Sequence, residues 1–235
     1  MKRLVRRVAT ALAYLLGAAA AVFVLVQAWF LGHVIYWKHF DPGTTSFMER
    51  RLEALRAKQP KAVLKHQWVD YDRIATHLKR AVVAAEDAKF IDHDGFDWEG
   101  IQRALERNQT RGKVVAGGST ISQQLAKNLF LSGERSVLRK GQEALITLML
   151  ETVLSKRRIL ELYLNVAEWG EGVFGAEAAA RHYFGVGAAS LSPAQAAKLA
   201  AMLPRPRYYD RNRTTPYLTT YTERILARMP GAQLP

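Results

Sequence analysis

The most restrictive feature of the chain is an uncharged run near its amino terminus. No Lys, Arg, Asp or Glu occurs between Val8 and Trp37, and about 20 apolar residues suffice for a helix to cross a bilayer. A secretory signal would have an apolar region of only about 7–15 residues, followed by a small-residue cleavage site. A buried core helix would show a polar face, which this run lacks. The run therefore predicts an uncleaved transmembrane anchor at residues 8–37.

The residues that flank this run predict its orientation. Residues 1–7 are basic and contain no acid, and cytoplasmic flanks are the ones enriched in Lys and Arg. We therefore expect a cytoplasmic tail at residues 1–7, with everything after the anchor outside. Aromatic residues at the far end of the run would sit at the outer membrane interface. A polar segment with proline and glycine predicts a juxtamembrane connector at residues 38–65, followed by a globular domain at residues 66–235.

Composition limits what the outer domain can bind. The net charge of the 235-residue chain is +13, and +9 remains without the four basic residues of the tail. An anionic partner near the membrane is expected, with anionic lipid, a phosphate-bearing substrate and nucleic acid as the general classes. The absence of cysteine excludes disulfides, thiol catalysis and thiolate metal sites. The six histidines form no His-Glu-x-x-His pattern, so no zinc site is predicted.

Two adjacent acidic residues, Glu86 and Asp87, follow an apolar run. Apolar residues recur at helical spacing from Ile74 to Ala85, with Asp72 as the expected N-cap, so the two acids should lie at a helix carboxyl end. The helix macrodipole and apolar neighbours would there raise the pKa of a carboxyl group toward that of a general base. The alternative interpretation is that both acids form the solvated end of an amphipathic helix.

A glycine-containing segment leads into a helix with a polar band. Gly117 and Gly118 precede Ser119, the expected N-cap, and free N–H groups at such a helix start can approach an anion. The signature of a nucleotide P-loop is missing. Side chains that suit sugar hydroxyls and a phosphate follow on the helix: Gln123, Gln124, Lys127 and Asn128. The alternative is an ordinary solvated helix face.

The next segment carries a basic patch. Arg135, Arg139 and Lys140 together suit phosphate. Glu143 lies one turn after Arg139, where a surface salt bridge worth a few tenths of a kcal/mol is the alternative. Apolar residues of the same segment predict a buried stripe: Leu138, Leu145, Leu148 and Met149.

Helical patterns fill most of the remaining chain. Helices are predicted at residues 47–57, 98–108, 156–167, 175–185 and 218–229. The helix at 156–167 is amphipathic, with one apolar side formed by Ile159, Leu162, Tyr163 and Val166. Another begins with Ser192 as N-cap and Pro193 in its first turn. No strand pairs are predicted, so the expected fold class is mostly α.

The chain contains four strings that resemble the successive motifs of the peptidoglycan glycosyltransferases: EDAKFIDHDG, GGSTISQQLAKN, RKGQE and KRRILELYLN. This domain occurs alone or at the front of class A penicillin-binding proteins. The resemblance covers about residues 71–206. With one anchor and no paired Ser-x-x-Lys and Lys-Thr-Gly motifs of a transpeptidase, the chain is similar to monofunctional members from Gram-negative bacteria.

The resemblance implies a fold, a reaction and a location. The fold is a single lysozyme-like helical domain at residues 66–235, with a large lobe and a small membrane-facing lobe. The reaction is polymerisation of lipid II, a disaccharide-pentapeptide on undecaprenyl pyrophosphate, onto which the growing chain is transferred with inversion. The anchor would lie in the inner membrane and the domain in the periplasm. Partners would be lipid II, the nascent glycan, the membrane and cell-wall synthesis proteins, and not nucleic acid. No cofactor is required, although members differ in metal dependence, which leaves Mg²⁺ or Mn²⁺ open.

The resemblance also implies roles for individual residues. Glu86 would be the general base for the acceptor 4-hydroxyl, and Glu143 would be a second glutamate near the donor pyrophosphate. The other matched positions would bind substrate or shape the site: Asp87, Phe90, His93, Ser119, Gln123, Gln124, Lys127, Asn128, Arg135, Arg139 and Lys140. The role of Glu143 as acid, orienting group or metal ligand stays open.

Two other functions compete with glycan polymerisation. A lysozyme-like lytic enzyme would need a carboxylic acid to protonate a sugar leaving group, and it would have less use for clustered cations. A non-enzymatic, anchored binder of anionic polymer would require neither glutamate. A pyrophosphate leaving group needs cations, and an acceptor hydroxyl needs a base. The residues therefore favour glycosyl transfer.

Overall fold

One long helix forms the amino-terminal unit, residues 1–40. The computed structural model describes residues 2–112, 117–131 and 136–235, and only the backbone of Val8. Helix α1 (Lys2–Trp37) has 36 residues, which corresponds to a length of about 54 Å. Among the described helices it is the one that is long and apolar enough to cross a membrane. It includes the basic tail, because Lys and Arg are good helix formers.

The second unit, residues 41–235, is mostly helical, which confirms the predicted class. Its helices are α2 (Ser46–Arg56), α3 (Thr76–Glu86), α4 (Trp98–Arg111), α5 (Ile121–Phe130), α6 (Val137–Val153), α7 (Lys156–Val166), α8 (Ala176–Phe184), α9 (Pro193–Met202), α10 (Pro206–Arg211) and α11 (Pro216–Arg228). Short strands among the described residues are β1 (Lys65–His66), β2 (Glu168–Gly170) and β3 (Val173–Phe174). Helix α3 packs against α9 and α11, and α5 packs against α2, α6 and α7.

The short sheet contradicts the prediction that no strands pair. β3 pairs in parallel with β1 and antiparallel with β2. Strands of two or three residues are too short to show an alternating pattern, and the β1–β3 pairing joins segments far apart in sequence. The turn between β2 and β3 includes Gly172, whose φ of +71° disfavours a residue with a side chain.

Helix α5 begins one residue later than predicted. Its N-cap is Thr120 and not Ser119: the Thr120 hydroxyl accepts from the Gln123 N–H, and the Gln123 side chain accepts from the Thr120 N–H. This reciprocal capping box requires a Thr or Ser three residues before the Gln, which explains the shift. The predicted start of α9 is confirmed, because Ser192 forms a capping box with Gln195.

Helix α3 does not use Asp72 as its N-cap, so that prediction is wrong. Asp72 lies in a 3₁₀ turn and pairs with Arg157 at 2.6 Å, and α3 starts at Thr76. The end of the helix is as predicted: Glu86 is its last residue, and Asp87 is its C-cap.

The predicted buried stripe of α6 is also wrong. Leu138 is 88% exposed and Leu148 is 49% exposed. The buried face instead consists of Glu143, Ile146, Thr147 and Leu150. A prediction from hydrophobicity alone gives the wrong buried face. The reason is that α6 buries the Glu143 carboxylate, which Arg139 and Lys140 of the same helix neutralise. In contrast, the apolar face of α7 is buried as predicted: Ile159, Leu162, Tyr163 and Val166.

Candidate active site

Glu86 lies at the end of a hydrogen-bonded chain that crosses between helices. The Gln124 amide donates to Glu86 Oε2 at 2.7 Å, and the Tyr163 hydroxyl donates to Gln124 Oε1 at 3.0 Å. Helices α3, α5 and α7 each supply one member of this chain. Because Tyr163 is buried and its hydroxyl proton is engaged, Gln124 is held with its NH₂ group toward the carboxylate.

Burial raises the pKa of Glu86 above the ordinary range of a glutamate. The Gln124 hydrogen bond and the positive charge of Lys127 act against this rise, and the charge of Asp87 adds to it. Burial also raises the pKa of Tyr163 well above that of a free tyrosine, so its hydroxyl stays protonated and donating. A carboxylate with raised proton affinity suits proton transfer.

Asp87 joins three parts of the fold. Its Oδ1 accepts from His93 Nε2 at 2.9 Å, and its Oδ2 accepts from the Ile121 N–H at 3.0 Å. His93 Nδ1 in turn accepts from the Gly95 N–H, so its Nε2 carries the proton that it donates. Asp87 therefore fixes the end of α3 against the start of α5 and the loop at residues 93–95.

We expect Asp87→Asn to lower the stability of the fold. Asp87 is buried, and an asparagine offers one acceptor oxygen where two donors, from His93 and Ile121, must be satisfied. One buried donor would face an NH₂ group, at a cost of about 1–3 kcal/mol. Thermal unfolding in detergent should show a melting temperature lower by roughly 2–10 °C.

Asp92→Asn provides the matched control in the same loop. Asp92 is exposed, and its side chain makes no hydrogen bond with a described residue. Its replacement should leave the melting temperature unchanged. Equal melting temperatures for the Asp87 and Asp92 variants would contradict the joining role of Asp87.

Phe90 supports the site from within the core. Its ring is fully buried, and Lys156 Nζ lies 4.7 Å from the ring centroid. Lys156 also donates to the His93 carbonyl and pairs with Glu151 at 2.8 Å. These contacts hold the loop that carries His93, and Phe90 does not line the cleft described below.

Glu143 occupies the centre of a small ionic cluster. It is only 3% exposed; Arg139 Nη1 donates to its Oε2 at 2.7 Å, and Lys140 Nζ donates to its Oε1. Each carboxylate oxygen thus serves a different cation, since the two cations lie one turn back on α6. The arrangement suits an orienting group for the cations, because both oxygens of Glu143 are already used as acceptors.

Lys127 lies between the two glutamates. Burial lowers the pKa of its ammonium group, while the charges of Glu143 and Glu86 oppose this effect. Its side chain makes no ion pair or hydrogen bond with a described residue. A partly buried ammonium without a partner in the described chain has hydrogen-bond donors available for an anion.

The site residues line three neighbouring cavities of the second unit. The cation-lined cleft, of about 430 Å³, is bordered by Phe47, Ser119, Gln123, Gln124, Lys127, Arg139, Lys140 and Glu143. The arginine-lined cleft, of about 710 Å³, shares Phe47, Gln124 and Lys127 with it. A small recess of about 120 Å³ is bordered by Glu86 and Asp87 and shares Ser119 with the cation-lined cleft. The glutamate, the amide helix and the cations therefore adjoin one another in space.

The structure brings together most of the predicted site residues in two ways. Ser119, Gln124, Lys127, Arg139 and Lys140 border a cavity directly. Gln123 also borders it, although its side chain serves the capping box. Asn128 borders only the arginine-lined cleft. Asp87 borders the small recess and also acts through its hydrogen bonds, whereas Phe90 and His93 act through packing and hydrogen bonds. Arg135 lies outside the described residues.

Sequence reasoning missed several residues that line the clefts. The sequence places Tyr163 on the apolar face of α7. The residue spacing does not indicate that its hydroxyl would bond to Gln124. Phe47 and Arg51 lie on α2, in the segment predicted as a connector, yet α2 packs against α5. No role was predicted for Arg205 and Arg207, which also border the arginine-lined cleft. Their alternation with prolines in LPRPR was the available signal, because prolines fix the backbone direction.

No three or more His, Asp or Glu side chains in the described part of the chain are grouped to hold a metal ion. The described residues therefore do not present a preformed metal site.

Comparisons with known proteins show the family to which the chain is similar. A family model described as Transglycosylase matches residues 53–230. The chain is 63% identical over 214 residues to a protein named biosynthetic peptidoglycan transglycosylase from Dechloromonas aromatica, covering 91% of this chain and 93% of that protein. A protein of the same name from Aromatoleum aromaticum is 63% identical over 92% of this chain and 93% of its own length. Another, from Chromobacterium violaceum, is 59% identical over 94% of this chain and 97% of its own length.

Proposed function

The chain belongs to the transglycosylase family and is a glycosyltransferase of peptidoglycan biosynthesis, and we propose that it polymerises lipid II through the residues described above. It makes the glycan polymer of peptidoglycan. In the proposed reaction, the growing strand on its lipid pyrophosphate is the donor, and the 4-hydroxyl of lipid II is the acceptor. The observation that carries the proposal is the partly buried Glu86–Gln124 hydrogen bond, whose Gln124 borders the cation-lined cleft.

Glu86 is the proposed general base. A sugar hydroxyl is a poor nucleophile until its proton is removed, and the raised pKa of Glu86 makes its carboxylate a stronger proton acceptor. Gln124 orients that carboxylate, and Tyr163 orients Gln124. The oxygen of the acceptor forms the new bond to the anomeric carbon as the pyrophosphate leaves from the opposite face, which gives inversion.

The cations of the cation-lined cleft are proposed to stabilise the leaving pyrophosphate. Lys127, Arg139 and Lys140 face the same cavity, and positive groups preorganised around developing negative charge lower the barrier. Glu143 holds Arg139 and Lys140 in place through one oxygen each. Its proposed role is positioning, because a pyrophosphate needs no strong acid to depart.

The anchoring of the chain follows from α1, and its topology is part of the proposal. One amino-terminal helix suited to a membrane and an enzyme of peptidoglycan synthesis indicate membrane anchoring. We propose a cytoplasmic tail at residues 1–7, an inner-membrane span at 8–37, a connector at 38–65 and a periplasmic catalytic domain at 66–235. Phe47 and Arg51 of the proposed connector also border the arginine-lined cleft, so the connector contributes side chains to the site.

Exposed apolar residues support a membrane-facing lobe. Leu138, Leu145 and Leu148 are exposed on α6, and Arg139 and Lys140 lie on the same helix. On α4, Trp98 and Leu105 are exposed two turns apart. An amphipathic surface of apolar and basic residues binds the headgroup region of anionic bilayers, where a lipid-borne substrate would be found.

A fluorescent label can test this placement, because the chain contains no cysteine. We expect Leu138→Cys, labelled with an environment-sensitive fluorophore in the full-length protein, to show a blue-shifted and stronger emission in anionic vesicles than in water. Glu223→Cys, on an exposed position of α11, should show water-like emission in the same vesicles. Water-like emission from both labels would contradict insertion of the α6 face.

The function is tested with the purified full-length chain and lipid II in vesicles or detergent. We expect linear glycan strands, resolved by length on gels, together with release of undecaprenyl pyrophosphate. A lytic enzyme is the alternative function. The raised pKa of Glu86 would also suit it, because a protonated carboxyl group can donate a proton to a sugar leaving group. Soluble fragments from preformed sacculi, without polymer from lipid II, would favour the lytic alternative and contradict the proposal.

A further inference from the structure

The arginine-lined cleft carries more positive charge than its own carboxylates balance. Its border includes Arg51, Lys127, Arg205, Arg207 and Arg211, and one carboxylate, that of Glu168. A cleft of about 710 Å³ is large enough for a drug-sized group. Neutral sugars alone would not require such an excess of cations, so the charge points to an anionic ligand.

The ion pairs in the structure identify which of these cations are available. Arg51 takes both oxygens of Glu168, at 2.8 and 3.1 Å, whereas Arg207 is 3.9 Å from the same carboxylate. Arg211 is committed to Glu171 at 2.5 Å. Arg205 makes no ion pair with a described residue. The guanidinium groups of Arg205 and Arg207 are therefore the available ones on this wall.

Arg205 is held in a defined position without a carboxylate. Its guanidinium lies 4.4 Å from the ring centroid of Tyr208, which also borders the cleft. Stacking on an aromatic face leaves the edge of the guanidinium, with its N–H groups, directed outward. A guanidinium oriented in this way can bind a carboxylate with two parallel hydrogen bonds.

Asn128 provides neutral hydrogen-bonding groups in the same cleft. It is 6% exposed and borders the arginine-lined cleft. Its side-chain amide makes no hydrogen bond with any described residue. The amide atoms of Asn128 are not among the buried side-chain atoms that lack a partner, so its donors and acceptor are open to the cleft.

The position of this cleft limits which part of a substrate it can receive. It adjoins the cation-lined cleft at Gln124 and Lys127, so it starts beside the reacting centre and extends beyond the proposed pyrophosphate site. A disaccharide-pentapeptide lipid carries two kinds of anion: the pyrophosphate and the carboxylates of its peptide. The donor pyrophosphate is assigned to the cation-lined cleft. The acceptor's own pyrophosphate lies across its disaccharide from the reacting 4-hydroxyl, so the peptide carboxylates are the anions that a cleft starting beside the reacting centre would receive.

We infer that Arg205 and Arg207, with Asn128, form a subsite for a carboxylate of the peptide stem on the glycan. This inference rests on lipid II being the substrate. The subsite would hold the peptide away from the reacting hydroxyl and add affinity for substituted over bare glycan. It assigns a binding role to the LPRPR segment, which the chemistry of Glu86 and the cation-lined cleft does not use.

The test compares two substrates in the full-length, anchored protein. One is lipid II with free peptide carboxylates, and the other is lipid II whose peptide carboxylates are converted to amides. Arg205→Ala/Arg207→Ala should raise KM for the first substrate about 10-fold, as expected for the loss of charge-assisted hydrogen bonds, and should change kcat little. KM for the amidated substrate should be the same in the variant and the original protein.

Control variants separate a local effect from a loss of charge or of folding. Arg224→Ala removes an exposed arginine of α11 that borders none of the three cavities, and it should leave both KM values unchanged. Arg205→Ala alone breaks no ion pair, so it should fold normally and still raise KM for the carboxylate substrate. Melting temperatures check each variant.

The outcomes distinguish this inference from the proposed function. An equal rise of KM for both substrates would overturn the carboxylate subsite. A weaker inhibition by inorganic pyrophosphate, without a difference between the two substrates, would assign these arginines to phosphate instead and also overturn it. Failure of the original protein to polymerise either substrate would overturn the use of lipid II itself, and the subsite with it.

Discussion

Glu86→Gln should abolish polymerisation of lipid II while leaving the protein folded and anchored. The substitution keeps the size of the side chain and an oxygen that can accept from Gln124, so the local geometry is retained. It removes the group that accepts the proton of the acceptor hydroxyl, a contribution of about 10²–10⁴-fold in rate. Initial rates with purified lipid II, followed by released undecaprenyl pyrophosphate, measure the loss.

The same variant should be at least as stable as the original protein at neutral pH. Because burial raises the pKa of Glu86, the folded protein binds this proton more tightly than the unfolded chain. The free energy of unfolding therefore decreases as the pH rises from the pKa of Glu86 in the unfolded chain to its raised pKa in the folded protein, because Glu86 ionises more easily in the unfolded chain. Glutamine carries no charge, so the variant should have the higher melting temperature above this range and no advantage below it.

The pH dependence of the rate gives a third readout. A base must be deprotonated to act, so the rate of the original protein should fall as the pH is lowered through the raised pKa of Glu86. The acidic limb should therefore lie at a higher pH than that of an ordinary carboxylate. Glu223→Gln, at an exposed position on α11, should retain the full rate and the same profile. Full activity of Glu86→Gln would remove Glu86 from the mechanism.

Short-range sequence signals predict the end of α3 correctly and its start incorrectly. Glu86 and Asp87 were expected at a helix carboxyl end, and α3 ends there, because the change from apolar to acidic residues coincides with the last turn. Asp72 had the chemistry of an N-cap but lies one 3₁₀ turn too early. The chain is extended at Ile74 after that turn, so α3 starts only at Thr76, and Asp72 instead pairs with Arg157, far away in the sequence.

The partners of the candidate site residues could not be derived from spacing. Gln124 and Lys127 were singled out on one helix, yet the pairing of Gln124 with Glu86 and with Tyr163 depends on how three helices pack. No role was predicted for Arg205 and Arg207, because the sequence alone does not show that their segment borders a cleft. Local pattern thus identified side chains with suitable chemistry, and tertiary packing decided which of them meet.

Helix α6 also shows that local sequence pattern identifies suitable side chains but does not predict how they pack. A purely apolar stripe was expected to face inward, but Leu138 and Leu148 are exposed and Glu143 is buried. Burial of a carboxylate is unfavourable unless it is paired, and Arg139 and Lys140 provide the pairing from one turn back on the helix. The i,i+4 spacing of Arg139 and Glu143 is visible in the sequence, but the burial of Glu143 is not.

Glu143→Gln should therefore reduce both activity and stability. A glutamine can offer its oxygen to Arg139 or to Lys140, but its NH₂ group must then face the other cation. The misplaced cations would stabilise the leaving pyrophosphate less well, and we expect a rate about 10²-fold lower. Stability should fall by about 2 kcal/mol, less than for a fully buried pair because Lys140 is half exposed. The melting temperature should fall by roughly 4–8 °C.

Glu177→Gln is the control that separates the two effects. Glu177 is also buried, pairs with Arg181 at 2.7 Å and accepts from the Ala188 N–H at 2.7 Å, but it borders none of the three cavities. Its replacement should lower the melting temperature to a similar extent and leave the rate below that temperature nearly unchanged. If both variants lost activity only in proportion to stability, Glu143 would be a structural residue. A rate loss confined to Glu143→Gln assigns the positioning of the pyrophosphate-binding cations to it.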